Sequence, residues 1–221
     1  MQNRTDKKRL AVLVSGGGTN MQSIIDATER GDICGSVVVV ISSNSEAYAL
    51  ERAKKHGIDS FVCSLKDYPS REERDAKIIE ILKKYDIDYV ILAGYLGILT
   101  DELICTYDNK IINIHPALLP AYGGKSFFGL NVHKAVIADK CPKSGATVHF
   151  VGRGGIDTGL IIAQESLDVL PGDTPESLQE RILQNIEHKL FPRVIKDLCD
   201  GKIRVENDKV IYDKTIIGDK T

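Results

Sequence analysis

The 221-residue chain sets 29 Lys and Arg against 31 Asp and Glu, so no net field favours a nucleic-acid backbone or an anionic membrane, and any phosphate must be held locally. Five cysteines, at 34, 63, 105, 141 and 199, are odd in number and lack C-x-x-C spacing, which fits neither a disulfide framework nor a zinc site and predicts reduced thiols. The polar N-terminus has no signal-peptide core and no run of 18 apolar residues occurs, so a cytoplasmic chain is expected and Asn3-Arg4-Thr5 is not read as a glycosylation site.

In chain order, residues 10–14 and 37–41 are short β-branched runs, apolar on both faces, as in parallel strands. Between them lies a helix with Met21, Ile24 and Ile25 at helical spacing, opening from Gly16-Gly17-Gly18-Thr19-Asn20. A helix over 46–55, a strand around Phe61, a helix over 71–85 and a strand over 89–93 continue the alternation. Ser70-x-x-Glu73 reads as a capping box. After a short segment near Ile98 and a strand over 110–114 comes a Pro- and Gly-rich stretch, 115–128, read as a binding or lid segment.

Strands over 146–151 and 160–164 flank a Gly-rich turn. The last helix starts at Thr174-Pro175 and runs to about Leu198, with Leu178, Ile182, Ile186 and Leu190 four apart and a kink expected at Pro192. Residues 203–213 read as a hairpin turning at Asn207-Asp208. The expected fold is α/β, an open doubly wound, mostly parallel sheet with a Rossmann-like N-terminal half. One domain over 1–221 is expected, with halves at about 9–114 and 115–205 and a tail over 206–221.

A strand, a glycine turn and a helix start present unpaired amides to an anion. A dinucleotide fingerprint would need a glycine at Met21 and an acid at Ser42-Ser43, and a Walker loop would need Gly-Lys-Ser/Thr. What remains is a single-phosphate site at Gly18, Thr19 and Asn20, or a turn required by packing alone.

Asn113 and His115, two apart at a strand's carboxyl end, point to one face while Ile114 points to the other. A lone histidine there is often structural. Asp157, in the turn from Gly154 to Gly159, changes the balance, although Asp between glycines is also ordinary turn chemistry. A carboxylate beside the imidazole would raise its pKa and orient it, so that Asn113 and the imidazolium stabilise an oxyanion while a proton is shuttled. That set suits acyl transfer without a covalent enzyme intermediate. His56 reads as capping or solvated, His149 as bonded within the sheet, and His133 as a helix residue within reach of the site. No ligand cluster points to a metal.

The chain resembles the folate-dependent glycinamide ribonucleotide transformylase (phosphoribosylglycinamide formyltransferase) family over about residues 10–205. The matching motifs are Ser15-Gly-Gly-Gly-Thr-Asn20, Leu92-Ala-Gly-Tyr95, Ile112-Asn-Ile-His-Pro-Ala-Leu-Leu-Pro120, Gly145-Ala-Thr-Val-His-Phe150 and Asp157-Thr-Gly159. The resemblance implies the formyltransferase fold, with 10-formyltetrahydrofolate as cosubstrate, no metal, and transfer to the amine of glycinamide ribonucleotide in purine biosynthesis. It implies that Asn113, His115 and Asp157 are catalytic, and that Gly18, Thr19, Asn20 and the Met21 amide hold the phosphate. Gln184 and Glu187 would bind the rest of the ribonucleotide. Arg71, Leu96, Gly97, Ile98, Leu99 and Asn113 would contact the folate.

The chain departs from the family pattern at Gly97, where some members have a basic residue, and in a longer, aromatic lid over 122–128. The turn before Asp157 is about one residue longer, with Gly152-Arg153 where acids are common. A formyltetrahydrofolate hydrolase would carry the same triad, usually behind an N-terminal regulatory domain, whereas about nine residues precede the first strand here. A methionyl-tRNA formyltransferase would want a C-terminal RNA-binding domain, and a silent nucleotide-binding protein need not keep the triad together. Small-molecule substrates, no nucleic acid, no membrane, and a monomer or weak homodimer are expected.

Overall fold

Side chains alternate across a strand, and in β1 (Lys8–Val14) both faces are apolar. Leu10, Val12 and Val14 join one buried cluster, while Ala11 and Leu13 join another on the opposite face. The computed structural model describes residues 7–213, so Asn3-Arg4-Thr5 and the end of the tail lie outside the described residues. Beside β1, the strands β2 (Gly35–Ser42), β3 (Asp59–Val62), β4 (Tyr89–Leu92) and β5 (Ile111–His115) pair in parallel. Antiparallel β6 (Lys143–Phe150) and β7 (Ile161–Asp168) complete the order β3-β2-β1-β4-β5-β6-β7.

Helices α1 (Thr19–Glu29), α2 (Tyr48–Lys55) and α5 (Leu130–Ala138), with the helices after β7, pack on the first face. The second face is covered by α3 (Arg71–Lys84) and α4 (Asp101–Thr106). This is the doubly wound, mostly parallel sheet expected. Strand order reverses between β1 and β4, which opens a crevice at their carboxyl ends. Ser15 Oγ ties its two rims, accepting the Leu96 amide at 2.8 Å and lying 2.6 Å from Ser43 Oγ.

Four local features differ from expectation. Helix α4 is new: six residues are too few for a helical period to register, and the Thr100 side chain caps it. β6 begins earlier than the sequence suggested, because Gly145 reads as a break but serves close packing; a Cβ there would lie 2.0 Å from the Glu165 carbonyl oxygen. Ser70 accepts the Glu73 amide at 3.1 Å without the reciprocal bond, and the complete capping box is Thr174 with Ser177.

The last helix is not continuous. It runs as α6 (Pro175–Ile182), a π-helical turn (Leu183–Glu187) and α7 (His188–Cys199). Residues four apart drift by about 40° per step on an α-helix, so a row of four would leave the core. The wide turn absorbs the drift and keeps Leu178, Ile182, Ile186 and Leu190 buried together. The irregularity therefore precedes Pro192, where the kink was expected. As predicted, β8 (Ile203–Glu206) and β9 (Lys209–Tyr212) form a hairpin, with Asn207 and Asp208 at φ 49° and 56° as a type I′ turn requires.

Candidate active site

Ile112 and Ile114 pack into the first cluster, so Asn113 and His115 face the other side at the carboxyl end of β5. The antiparallel ladder sets His149 opposite Asn113 and Thr147 opposite His115. His149 Nδ1 lies 2.8 Å from the Phe150 carbonyl oxygen, which can only accept, so the ring proton sits there. With the proton on Nδ1, Nε2 accepts from Asn113 Nδ2 at 3.1 Å and lies 3.7 Å from Asp157 Oδ1.

The same logic fixes His115. Its Nε2–H donates to the Tyr122 carbonyl at 2.7 Å, and Nδ1 faces Asp157 Oδ2 at 3.4 Å. The expected rise of the His115 pKa is reversed: burial lowers it, and outweighs the opposing pull of Asp157 and the Tyr122 carbonyl. Asp157 sits at φ 60° and accepts the Gly124 amide at 3.0 Å. Burial opposes its ionisation, but the Gly124 amide that it accepts and the two histidine rings beside it hold it below its ordinary value. Gly159 follows for a steric reason, since a Cβ would lie 1.7 Å from the Phe150 carbonyl oxygen.

The lid lies over this pair and is anchored through Ala117, Leu119, Tyr122 and Gly124. Thr147 Oγ1 donates to the Ala117 carbonyl at 2.6 Å and accepts the Leu119 amide at 3.0 Å. Gln164 Nε2 donates to both Thr147 Oγ1 and the Leu119 carbonyl. Tyr122 bonds through its hydroxyl to Asp139 at 2.7 Å and stacks edge-on against Phe127. Beneath, on α5, His133 is fully buried with neither ring nitrogen partnered; burial, helped by the nearby His115, lowers its pKa to about 4.

At the glycine turn, Gly18 has φ 71°, and a Cβ would lie 2.7 Å from that of Ala49, whereas Gly16 and Gly17 face open space. Thr19 is exposed and Met21 buried. Asn20 Nδ2 donates to Glu187 Oε2 at 2.6 Å, so the π-helical turn meets the start of α1. Glu187 is buried, and burial raises its pKa against the opposing Asn20 bond. Asn20 Oδ1 is buried and unpartnered. Leu13 pairs with Leu92 and Leu92 with Asn113, so the glycine turn and the β5 end are two strand spacings apart, roughly 10 Å.

Gln184 is not brought to this cluster; it is exposed and bonded to Glu180 at 3.0 Å. Arg71, at the start of α3, is exposed; after β4, Leu96 and Ile98 protrude and Leu99 is buried. Gly97 has a local cause, because a Cβ would lie 2.6 Å from the Tyr95 ring. His56 is held by Glu29 and Gln22, in keeping with its reading as a helix-end residue. His149 is bonded within the sheet, as expected, but its partner Asn113 and the roles of Thr147 and Gln164 in building the site were not foreseen. The signal for Thr147 and His149 was polar residues at a period of two in Thr147-Val148-His149, inside the motif over 145–150.

Residues 8–195 match the formyl transferase family. The chain is 40% identical over 205 residues to a chloroplastic phosphoribosylglycinamide formyltransferase of Arabidopsis thaliana, covering 92% of this chain and 70% of that protein. It is 37% identical over 206 residues to the phosphoribosylglycinamide formyltransferase of Haemophilus influenzae, covering 93% and 94% of the two. The crystal structure of glycinamide ribonucleotide transformylase 1 from Symbiobacterium toebii aligns with a TM-score of 0.87 at 39% identity, over 96% of this chain and 97% of that one.

Proposed function

The chain belongs to the formyl transferase family, and on that premise we propose that it transfers the formyl group of 10-formyltetrahydrofolate to the primary amine of glycinamide ribonucleotide. The observation that carries this reading is the meeting of Asn113, His115 and Asp157 at one point, with an anion-accepting helix start two strands away. One phosphorylated amine can span that distance. The cosubstrate supplies an activated formyl carbon, and this chain's residues handle charge and protons around it.

Asn113 has two amide protons, and His149 takes only one. The other is free for the oxyanion that develops as the amine attacks the formyl carbon. The amine sheds a proton as its C–N bond forms; as the tetrahedral intermediate collapses, the bond from the formyl carbon to the folate nitrogen breaks and that nitrogen leaves with a proton, giving tetrahydrofolate. Neutral His115 carries its lone pair on Nδ1, facing ionised Asp157, so a proton taken there is held between imidazole and carboxylate. The His115 Nε2–H is engaged by the Tyr122 carbonyl. It joins Asn113 in stabilising the oxyanion only when the lid over 122–124 withdraws.

The amides of Gly18, Thr19, Asn20 and Met21 suit the phosphate, helped by the α1 dipole. Glu187 beside Asn20 suits the amine-bearing part of the ribonucleotide. Arg71 and the segment Leu96, Gly97, Ile98 and Leu99 would contact the folate together with Asn113, a role that the exposed side chains of Leu96 and Ile98 suit. The test is turnover of 10-formyltetrahydrofolate by purified protein with and without glycinamide ribonucleotide. Turnover that requires the ribonucleotide supports transfer, and equal turnover without it makes the protein a hydrolase.

A further inference from the structure

Helix α3 carries, near its N-terminus, an ion pair that the chemistry above does not use. Arg74 is 2% and Asp75 1% exposed. Arg74 Nε and Nη2 each lie 2.7 Å from Asp75 Oδ1. Adjacent residues on a helix do not face each other, so this is not a bridge made to support the helix. Burying two charges is costly, and their partners outside the helix indicate what the pair holds.

Both side chains reach the segment after β4. Arg74 Nη2 donates to the Ile98 carbonyl at 2.7 Å, and Asp75 Oδ2 accepts the Thr100 amide at 2.6 Å. Ser15 Oγ accepts the Leu96 amide at the other end. The backbone is thus tied inward at 96, 98 and 100, while the side chains of Leu96 and Ile98 remain exposed, Leu96 by 62%. Tyr95 fills the space beside Gly97, where a Cβ would lie 2.6 Å from its ring. The strip facing the crevice has little freedom, and the buried pair supplies two of its three ties.

We infer that Arg74 and Asp75 are positioning residues that hold the 96–100 segment in the shape that accepts the folate. This rests on the reading above that the segment contacts the cosubstrate. The double variant Arg74→Met/Asp75→Asn removes both charges together and so leaves no unpaired buried ion. It should raise the KM for 10-formyltetrahydrofolate about tenfold or more, as loss of pre-positioning does. The KM for the ribonucleotide should stay within about twofold, and hydrogen exchange at the Thr100 amide should speed up about tenfold or more in the free protein.

An unchanged folate KM overturns the inference. So does a parallel rise of both KM values with a fall in Tm, which marks a general scaffold role. If the double variant does not fold, Arg74→Lys carries the same test, since it keeps the charge but not the planar fork that reaches Asp75 and Ile98 together. Leu96→Ala, at an exposed position, separates the two readings. A raised folate KM in Leu96→Ala beside an unchanged pair variant refutes only the positioning role; no change in either refutes the folate assignment of the segment as well.

Discussion

His149 stands directly opposite Asn113 across the β5–β6 ladder and accepts its amide proton at 3.1 Å. The bond orients the amide, so that its second proton, not its oxygen, is available where charge develops. His149→Leu removes the acceptor and lets the amide rotate. The expected result is a fall in kcat of about ten- to a hundredfold with both KM values near wild type, consistent with loss of one oriented oxyanion donor. Steady-state kinetics decide it; a KM effect alone would make His149 a binding residue.

His115→Ala removes the proton acceptor facing Asp157. Turnover should drop by about 10²–10⁴ or more, the range of a general acid–base group. Binding of a phosphate-bearing ligand, read by calorimetry, should stay nearly unchanged because the glycine turn proposed to hold the phosphate is two strands away. A large loss of binding would make His115 a recognition residue.

The buried histidines set an acid limit on stability. An unfolded imidazole titrates near 6.5, whereas folded His133 titrates near 4 and His115 is also lowered. Between those values the unfolded chain binds protons that the folded chain refuses, so stability is full above about pH 6.5 and falls as pH drops toward 4. Asp157, whose carboxyl is lowered from 3.8, adds a further loss below that pH. Urea midpoints measured from pH 7.5 to 4 should trace the fall, and His133→Leu should flatten it. An equally steep curve in that variant would place the sensitivity elsewhere.

Glu187 has the opposite sign. Its pKa is raised from 4.5 by burial, so the ionised carboxylate costs stability above that pH. Glu187→Gln should therefore raise Tm at pH 7 while increasing the KM for the ribonucleotide about tenfold, the usual worth of a charged hydrogen bond. A lower Tm with unchanged KM would mean that the carboxylate serves the fold.

Two glycines of one turn should behave differently. Gly18→Ala places a side chain at φ 71° and 2.7 Å from Ala49, and should cost about 1–3 kcal/mol and weaken phosphate binding. Gly16→Ala meets nothing within 4 Å and should cost less than about 1 kcal/mol. Equal losses in chemical denaturation would show that conformation and contact at Gly18 do not matter.

Much of this was legible in the residues themselves, because local covalent geometry decides it. Asn113 and His115 had to share a face whatever lay around them, since a strand repeats every two residues. The strand, glycine turn and helix start at 10–20, the alternation of strands and helices, and the Asn207-Asp208 hairpin followed from patterns within a few residues. The drift hidden in Leu178, Ile182, Ile186 and Leu190 was present too, though it became a π-helical turn only when all four had to reach one core.

Tertiary structure decided what depends on distant groups. His149 meets Asn113 through a register joining residues 36 apart, and antiparallel pairing of β6 is not written in either segment. The pKa of His115 is a balance between a carboxylate, which sequence can suggest, and burial beneath the lid, which only packing creates; burial wins and leaves the imidazole neutral. Arg74 and Asp75 are buried only because α3 lies against the segment after β4, which no local pattern in 70–75 specifies. Short-range geometry put Asn113 and His115 on one face. Long-range packing set their protonation, their partners and the rigidity of the cleft around them.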